Sequence, residues 1–256
     1  MLEALVVTAV VAVMTGVVSP VLLSARGRGR AVWCSSNIRQ MAMAMSVYEQ
    51  SSGSFPSGFD DRLAGATPPV GGYPGVPDID DRGRWWFNYL DAGQGDLSGT
   101  GSIYLCPSSR VKKVRGRENI LCGNYGVNRA IFRDTQPDRE FAGRSLASGQ
   151  ITNPSGTLLV TDSGYSLVSW QGAAREVSRR LENAARDEAV YIPGLSINGE
   201  REFSVLFQED AVKGRHPRKT VNVAYADNHV EQISAEKVLV RREGSGWQNR
   251  SPLWLP

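Results

Sequence analysis

Two histidines, His216 and His229, and three cysteines, Cys34, Cys106 and Cys122, are the residues of this chain best suited to chemistry. His216, Asp227 and His229 stand close enough in sequence to offer three ligands to a divalent ion, since imidazole and carboxylate both suit such metals. The plainer reading makes Asp227 a turn residue that hydrogen-bonds its own backbone, with two partly exposed histidines near it. The cysteines are far apart and contain no CxxC pair, which speaks against structural zinc. Three disulfide pairings are open. A Cys106–Cys122 bridge would close a short loop and contribute ~3 kcal/mol, and free buried thiols are the alternative. Serines occur in SGS and GTLLVTDSG, but there is no GxSxG elbow, so a hydrolase would have to build on one of the two histidines. GxGxxG and P-loop motifs are absent as well, which leaves nucleotide chemistry without support.

The rest of the composition sets what can position these groups. Lys plus Arg number 29 against 26 Asp plus Glu, a net charge of +3 that provides no electrostatic footprint for a nucleic-acid partner. The 27 glycines and 13 prolines imply long irregular connections. From Ala4 to Ser24 the chain reads ALVVTAVVAVMTGVVSPVLLS without a charge, close to the ~20 residues a helix needs to cross a bilayer. A secretory signal peptide would carry a basic flank before a shorter apolar core, and no Lys or Arg precedes this one. Arg26, Arg28 and Arg30 follow it, and charge bias alone would hold the remaining chain in the cytoplasm. Glu3 has two readings. It is an interfacial carboxylate in water, or a buried one neutralised by the α-amino group of a neighbouring copy, which would fix the register between subunits.

Beyond ARGRGR, apolar residues recur at Cys34, Ile38, Met41, Met45 and Tyr48, in alternating steps of four and three that draw one stripe along a helix. The breakers at 51–58 end it, and the stripe reads as core. Gly27 and Gly29 predict a kink or hinge between this helix and the apolar segment. Residues 52–101 are dominated by Gly, Pro, Asp and Ser. Their apolar island of Trp85, Trp86, Phe87, Tyr89 and Leu90 reads as the anchor of a long loop rather than a sugar or peptide site. Strands are expected at 102–105, 125–128 and 157–162, and a solvated surface helix at 173–190. In the hairpin VNVAYA-DN-HVEQI, a two-residue turn at Asp227 and Asn228 would pair Tyr225 with Val230 and Ala224 with Glu231. The Tyr225 and Val230 pair would then cover the helix stripe. On that reading Tyr225→Ala costs ~3 kcal/mol or more, and loss of either histidine less than ~1 kcal/mol.

The opening string MLEALVVTAVVAVMTGVVSP resembles the start of type IV prepilins and pseudopilins, among them the major pseudopilins of type II secretion. Met1, Leu2 and Glu3 match the end of their Gly-Phe-Thr-x-x-Glu processing motif, and Pro20 falls where the helix proline of that family commonly sits. The basic leader, the Gly before the cut and the Phe after it are missing, so Met1 reads as an internal start of a longer frame. Further along, CSSNIRQMAMAMSVYEQSSGSFP, WWFNYL, YLCPSS, NYGVNR, NPSGTLLVTDSG and RHPRKTVNVAYADNHVE follow in order. This ordered set resembles a group of prepilin-like bacterial proteins that end in a His, nine residues, then Asp-Gly. Here ten residues separate His216 from Asp227, and Asn228 stands in place of the Gly. The extra residue reads as a bulge or a longer loop.

The resemblance implies an α+β, pilin-like fold, with a long N-terminal hydrophobic helix packed on a small antiparallel sheet with long loop insertions. Residues 1–51 would form the transmembrane and neck helix, and 52–256 an exported globular domain ending in a β-hairpin. The implied function is non-enzymatic. The chain would be a single-pass subunit of the bacterial inner membrane, with residues 31–256 in the periplasm or at the cell surface. It would assemble through its helix, by way of Glu3 and Pro20, into a pilus or a type II secretion-like pseudopilus. Its partners would be the membrane, other pilin-like subunits and, if a leader precedes Met1, a prepilin peptidase that leaves a methylated N-terminus. The alternative is a membrane-anchored domain that binds a ligand or an envelope protein without assembling. No cofactor is expected, calcium aside. Some pseudopilins hold calcium in C-terminal loops, and Asp227 and Asp162 are the corresponding candidates, although no dense Asp/Asn cluster of the EF-hand kind is present.

Overall fold

The computed structural model describes residues 2–60, 62, 84–90, 102–109, 124–135, 141–163, 166–168, 214–238, 242–243, 246–247 and 252–256. Helix α1 (Leu2–Ser52) runs 51 residues without a break and contains Pro20. Its first half is exposed on every side, with Leu5, Val10, Val17 and Leu23 uncovered, and it is long and apolar enough to cross a membrane. The hydroxyls of Thr8, Thr15 and Ser19 donate to the carbonyls of Ala4, Val11 and Thr15 at 3.0, 2.7 and 2.7 Å. These three polar groups would therefore meet lipid already paired.

The second half of α1 buries Ala31, Cys34, Asn37, Ile38, Met41, Ala42 and Met45 along one stripe, the face that the three-and-four spacing predicts. Gly53, at φ 74°, closes the helix by donating to Glu49 O at 2.7 Å, the left-handed cap that a glycine provides. The expected hinge at Gly27 and Gly29 gives way to continuous helix. Gly27 serves close approach instead, because a Cβ there would stand 3.3 Å from Cγ of Pro217.

The core sheet is assembled from β3 (Tyr125–Asn128), β4 (Leu158–Asp162), β5 (Leu167–Val168), β6 (Thr220–Tyr225) and β7 (Val230–Ser234), in the order β5-β3-β4-β6-β7. All neighbours are antiparallel except β3 and β5, so the sheet is mixed rather than purely antiparallel. After β4 the chain passes back to the free edge of β3, where Val127 N and Arg129 N donate to Ser166 O and Val168 O at 3.0 and 2.8 Å. Helix α1 lies across β4, β6 and β7. Ala224 and Ala226 share the buried cluster of Cys34, Ile38, Met41 and Met45, whereas Val221, Val223 and Tyr225 alternate to the other face. Small residues on the helix side let α1 approach the sheet closely.

The hairpin register differs by one from the expected one. Ala224 pairs with Val230 and Val223 with Glu231, so the loop holds three residues, Ala226, Asp227 and Asn228. Asn228 N donates to Tyr225 O at 2.9 Å and Tyr225 N to His229 O at 3.0 Å, with Asn228 at φ 71°. This is the three-residue hairpin that ends on a left-handed residue. Tyr225, in step with Val221 and Val223 along β6, faces away from the helix. Its ring stacks on His229 at 4.2 Å, and its hydroxyl donates to Glu231 at 3.3 Å.

A smaller pair, β1 (Phe59–Asp60) with β2 (Arg84–Trp85), carries the aromatic island into the core. Trp85, Trp86, Phe87 and Leu90 are buried, with the Phe59 and Trp85 rings 4.8 Å apart. The expected strand at 102–105 is a tight turn, because Ser102 accepts from Tyr104 N through its hydroxyl and from Leu105 N through its carbonyl, each at 3.2 Å. At the C-terminal end, α2 (Ala235–Val238) follows β7, and Trp254 donates to Val238 O at 3.0 Å. Strands β8 (Arg242–Glu243) and β9 (Gly246–Trp247) form a separate pair. The helix expected at 173–190 lies outside the described residues.

Candidate functional site

Antiparallel pairing of β4 with β6 sets Thr161 opposite Val223, which brings the last residue of β4, Asp162, beside Asn222. Asn222 N donates to Asp162 Oδ2 at 2.7 Å, and His216 Nε2 lies 2.9 Å from the same oxygen. Arg215 Nη1 lies 3.7 Å from Asp162 Oδ1. Its guanidinium also donates to Asn124 O and, at 3.0 Å, to Ser163 O. The side chains of Asp162, Arg215 and His216 are each at most 1% exposed. A buried charge persists only when it is paired and hydrogen-bonded, and these contacts supply both.

A backbone device places Arg215 and His216. His216 and Thr220 bridge across a tight loop, His216 N to Thr220 O at 3.0 Å, while Arg218 and Lys219 take left-handed φ of 64° and 57°. Gly214 sits at φ 73°, where a Cβ would collide with the backbone of Lys219. This fold-back takes up the chain between His216 and β6.

From the other side, α1 supplies Cys34, which forms a disulfide with Cys106 at a Cα–Cα distance of 5.4 Å across 72 residues. Of the three pairings left open by the sequence, the structure forms Cys34–Cys106 rather than the Cys106–Cys122 bridge, and Cys122 lies outside the described residues. The reason is positional. Cys34 occupies the buried stripe of α1, and Cys106 is held against it by Asn37, which donates to Leu105 O at 3.1 Å, and by Asn124 Oδ1, which accepts from Cys106 N at 2.9 Å. Asn37 also donates to the Tyr125 hydroxyl at 3.3 Å, and Asn222 Nδ2 to Ala31 O at 3.2 Å. Burial, together with the Asp162 charge, pushes the Tyr125 hydroxyl well above its ordinary pKa.

Cys34, Cys106, Asp162 and His216 each place one donor atom within 4.8 Å of the others. Oδ1 of Asp162 and Nδ1 of His216 are buried without a hydrogen-bond partner. The cluster clamps helix, sheet and turn at one point. Sequence reading did not group these four residues, and it passed over Arg215, Asn37, Asn124 and Asn222. The one local signal was Asn222, a polar residue inside the apolar strand VNVAYA.

The other candidates lie apart. Asp227 accepts from His229 N at 3.1 Å and pairs with the His229 ring at the exposed hairpin tip, as a turn residue should. Burial pushes its carboxyl upward, but the hydrogen bonds and charge of His229 outweigh that and hold it below the ordinary carboxylate value. Asp162 and Asp227 lie beyond opposite ends of the β6 run from Asn222 to Tyr225, so they do not converge as calcium ligands, and His216 joins Asp162 rather than Asp227 and His229. Asn228 exchanges hydrogen bonds with Ser46 on α1, at 2.9 and 3.1 Å. Glu3 is exposed in the first turn of α1, and Pro20 lies within the uncovered apolar half.

A family model described as "Protein of unknown function (DUF1559)" matches residues 23–178. The match starts at the end of the apolar segment, continues through β5, and takes in Cys34, Asn37, Cys106, Asn124, Tyr125 and Asp162. Arg215, His216 and Asn222 lie beyond it. No curated protein and no solved structure matches the chain. Because the matched region spans more than half of its length, the chain belongs to the DUF1559 family.

Proposed function

We propose that this chain is a non-enzymatic, pilin-like subunit, held in the bacterial inner membrane by the first half of α1, exported beyond it, and assembled through α1 into a pilus or a type II secretion-like pseudopilus. The observation that carries the reading is the division of a single helix. One half is bare and apolar, while the other is bonded and packed into the globular core. A rigid rod of this kind passes force and register from membrane to domain without a joint. The outer half also exposes Val32, Trp33, Met43 and Val47 on the side facing away from the sheet, apolar surface that a neighbouring copy would cover. The Cys34–Cys106 bond supports export, since disulfides persist in oxidising compartments. That consideration outweighs the three arginines after the apolar segment, which by charge bias favour a cytoplasmic domain.

The test joins topology to assembly. A reporter fused after Pro256 should be active only on the exported side, and activity confined to the cytoplasm would overturn the reading. In cells, crosslinking should trap wild-type multimers, and Glu3→Ala should insert normally but enter far fewer of them, because assembly loses its polar register contact. Equal crosslinking would remove Glu3 from the account. A wild-type chain that crosslinks only as a monomer would point to the unassembled anchored domain that binds a ligand or an envelope protein.

A further inference from the structure

We propose that Cys34, Cys106, Asp162 and His216 form a thiol-gated zinc site: once the Cys34–Cys106 bond is reduced, both thiolates join a ring nitrogen of His216 and a carboxylate oxygen of Asp162 in taking up Zn²⁺. The inference is independent of filament assembly. It starts from the donor set. Two sulfurs, one imidazole and one carboxylate suit a tetrahedral zinc ion, whereas calcium requires six to eight oxygens.

Geometry and satisfaction point the same way. All four donor atoms already lie within 4.8 Å of one another, and zinc ligation at the usual bond lengths needs them about 3.3–3.8 Å apart. Opening the S–S bond gives the sulfurs the freedom to reach that spacing. Oδ1 of Asp162, 3.7 Å from Arg215 Nη1, is buried without a hydrogen bond, and a buried atom of that kind calls for an explanation. The ring nitrogen that faces the carboxylate is Nε2, 2.9 Å from Asp162 Oδ2, so zinc would bind Nε2 in place of the proton shared there.

Charge balance favours the exchange. In the disulfide form the Asp162 carboxylate faces the Arg215 guanidinium. Two new thiolates and one Zn²⁺ cancel, so uptake adds no net charge to the buried cluster. In the redox step a thiol reductant attacks one sulfur through a mixed disulfide, a second reductant thiol releases it, and the two reductant sulfurs end joined. Cys34 and Cys106 take the two electrons and lose their protons to solvent as zinc binds.

The experiment uses the full-length chain in detergent, oxidised or reduced with a phosphine, incubated with zinc chloride and a weak chelator, then gel-filtered for metal analysis. The reduced chain should retain about one zinc per chain, as a four-ligand site holds, and the oxidised chain close to none. Cys122→Ser should behave as wild type, and Cys34→Ser should lose the zinc even when reduced. His216→Ala and Asp162→Asn should each weaken binding ~10-fold or more. Cobalt(II) in place of zinc should give the intense d–d bands and sulfur charge transfer of a tetrahedral thiolate site, and zinc should raise the melting temperature of the reduced chain. Equal zinc in the oxidised and reduced forms, binding indifferent to both His216→Ala and Asp162→Asn, or a reduced chain that takes up cobalt without a tetrahedral spectrum would each overturn the proposal.

Discussion

His216 is buried and hydrogen-bonded to the carboxyl group of Asp162, while His229 is 44% exposed at a hairpin tip. Their removal should therefore have unequal effects. His216→Ala forfeits a hydrogen bond to a charged group and leaves a cavity, which together cost at least ~2 kcal/mol. That exceeds the small loss expected from sequence, where no buried partner was visible. His229→Ala should cost less than ~1 kcal/mol. Thermal melts of both variants check this, and equal shifts would refute it. Asp60 provides a second test at this scale. Burial works to raise its carboxyl, but hydrogen bonds from Arg62 and Thr135 and the charge of Arg62 outweigh it and hold the group below its ordinary value. A depressed carboxylate stabilises the fold above the unfolded pKa of ~3.9 and loses that contribution as pH falls through the folded value. Wild type should accordingly lose more melting temperature than Asp60→Asn when the pH is taken from 7 to below ~4.

At the scale of elements, the β6–β7 hairpin is fastened to α1 by its tip. Asn228 both tolerates a left-handed backbone and exchanges hydrogen bonds with Ser46. Glycine at this position would relieve the backbone, worth ~0.4–1 kcal/mol, but would abandon a contact worth ~0.5–1.5 kcal/mol. Asn228→Gly should hence lie within ~0.5 kcal/mol of wild type. In a Ser46→Ala background the same change should become stabilising, by up to ~1 kcal/mol. A double-mutant cycle measured by denaturant unfolding isolates the coupling. A coupling of zero would show that the hairpin tip and the helix are energetically separate.

For the molecule as a whole, the Cys34–Cys106 bond closes a loop of 72 residues around the aromatic island. Chain-entropy reasoning assigns such a closure about 4 kcal/mol, through restriction of the unfolded chain. Reduction, or Cys34→Ala, should lower the melting temperature markedly, whereas Cys122→Ala should leave the Cys34–Cys106 bond intact. Mass mapping of the oxidised chain after proteolysis should recover the Cys34 and Cys106 peptides joined. Recovery of Cys106 joined to Cys122 would overturn this pairing and the zinc site with it.

The elements legible in the sequence are those whose cause is local. The apolar run of 4–24 has the length of a bilayer crossing, and the stripe from Cys34 to Tyr48 repeats with the helical period, so both halves of α1 were visible before folding was considered. The strands at 125–128 and 157–162 likewise follow from apolar residues bounded by turns. Tertiary structure decided the rest. A turn at Asp227 and Asn228 suits a two-residue or a three-residue loop, and the observed register is the one in which Ala224 and Ala226 meet the helix and Asn228 reaches Ser46. Cys106 lies nearer Cys122 in sequence, yet its partner is on the helix, because packing of α1 across the sheet brings Cys34 to it. Asp162 and His216 are 54 residues apart and meet only because β4 pairs with β6 and a left-handed loop folds back ahead of it. Periodicity and turn chemistry act over a few residues, whereas strand order and helix docking bring together groups whose separation along the chain carries no signal of their contact.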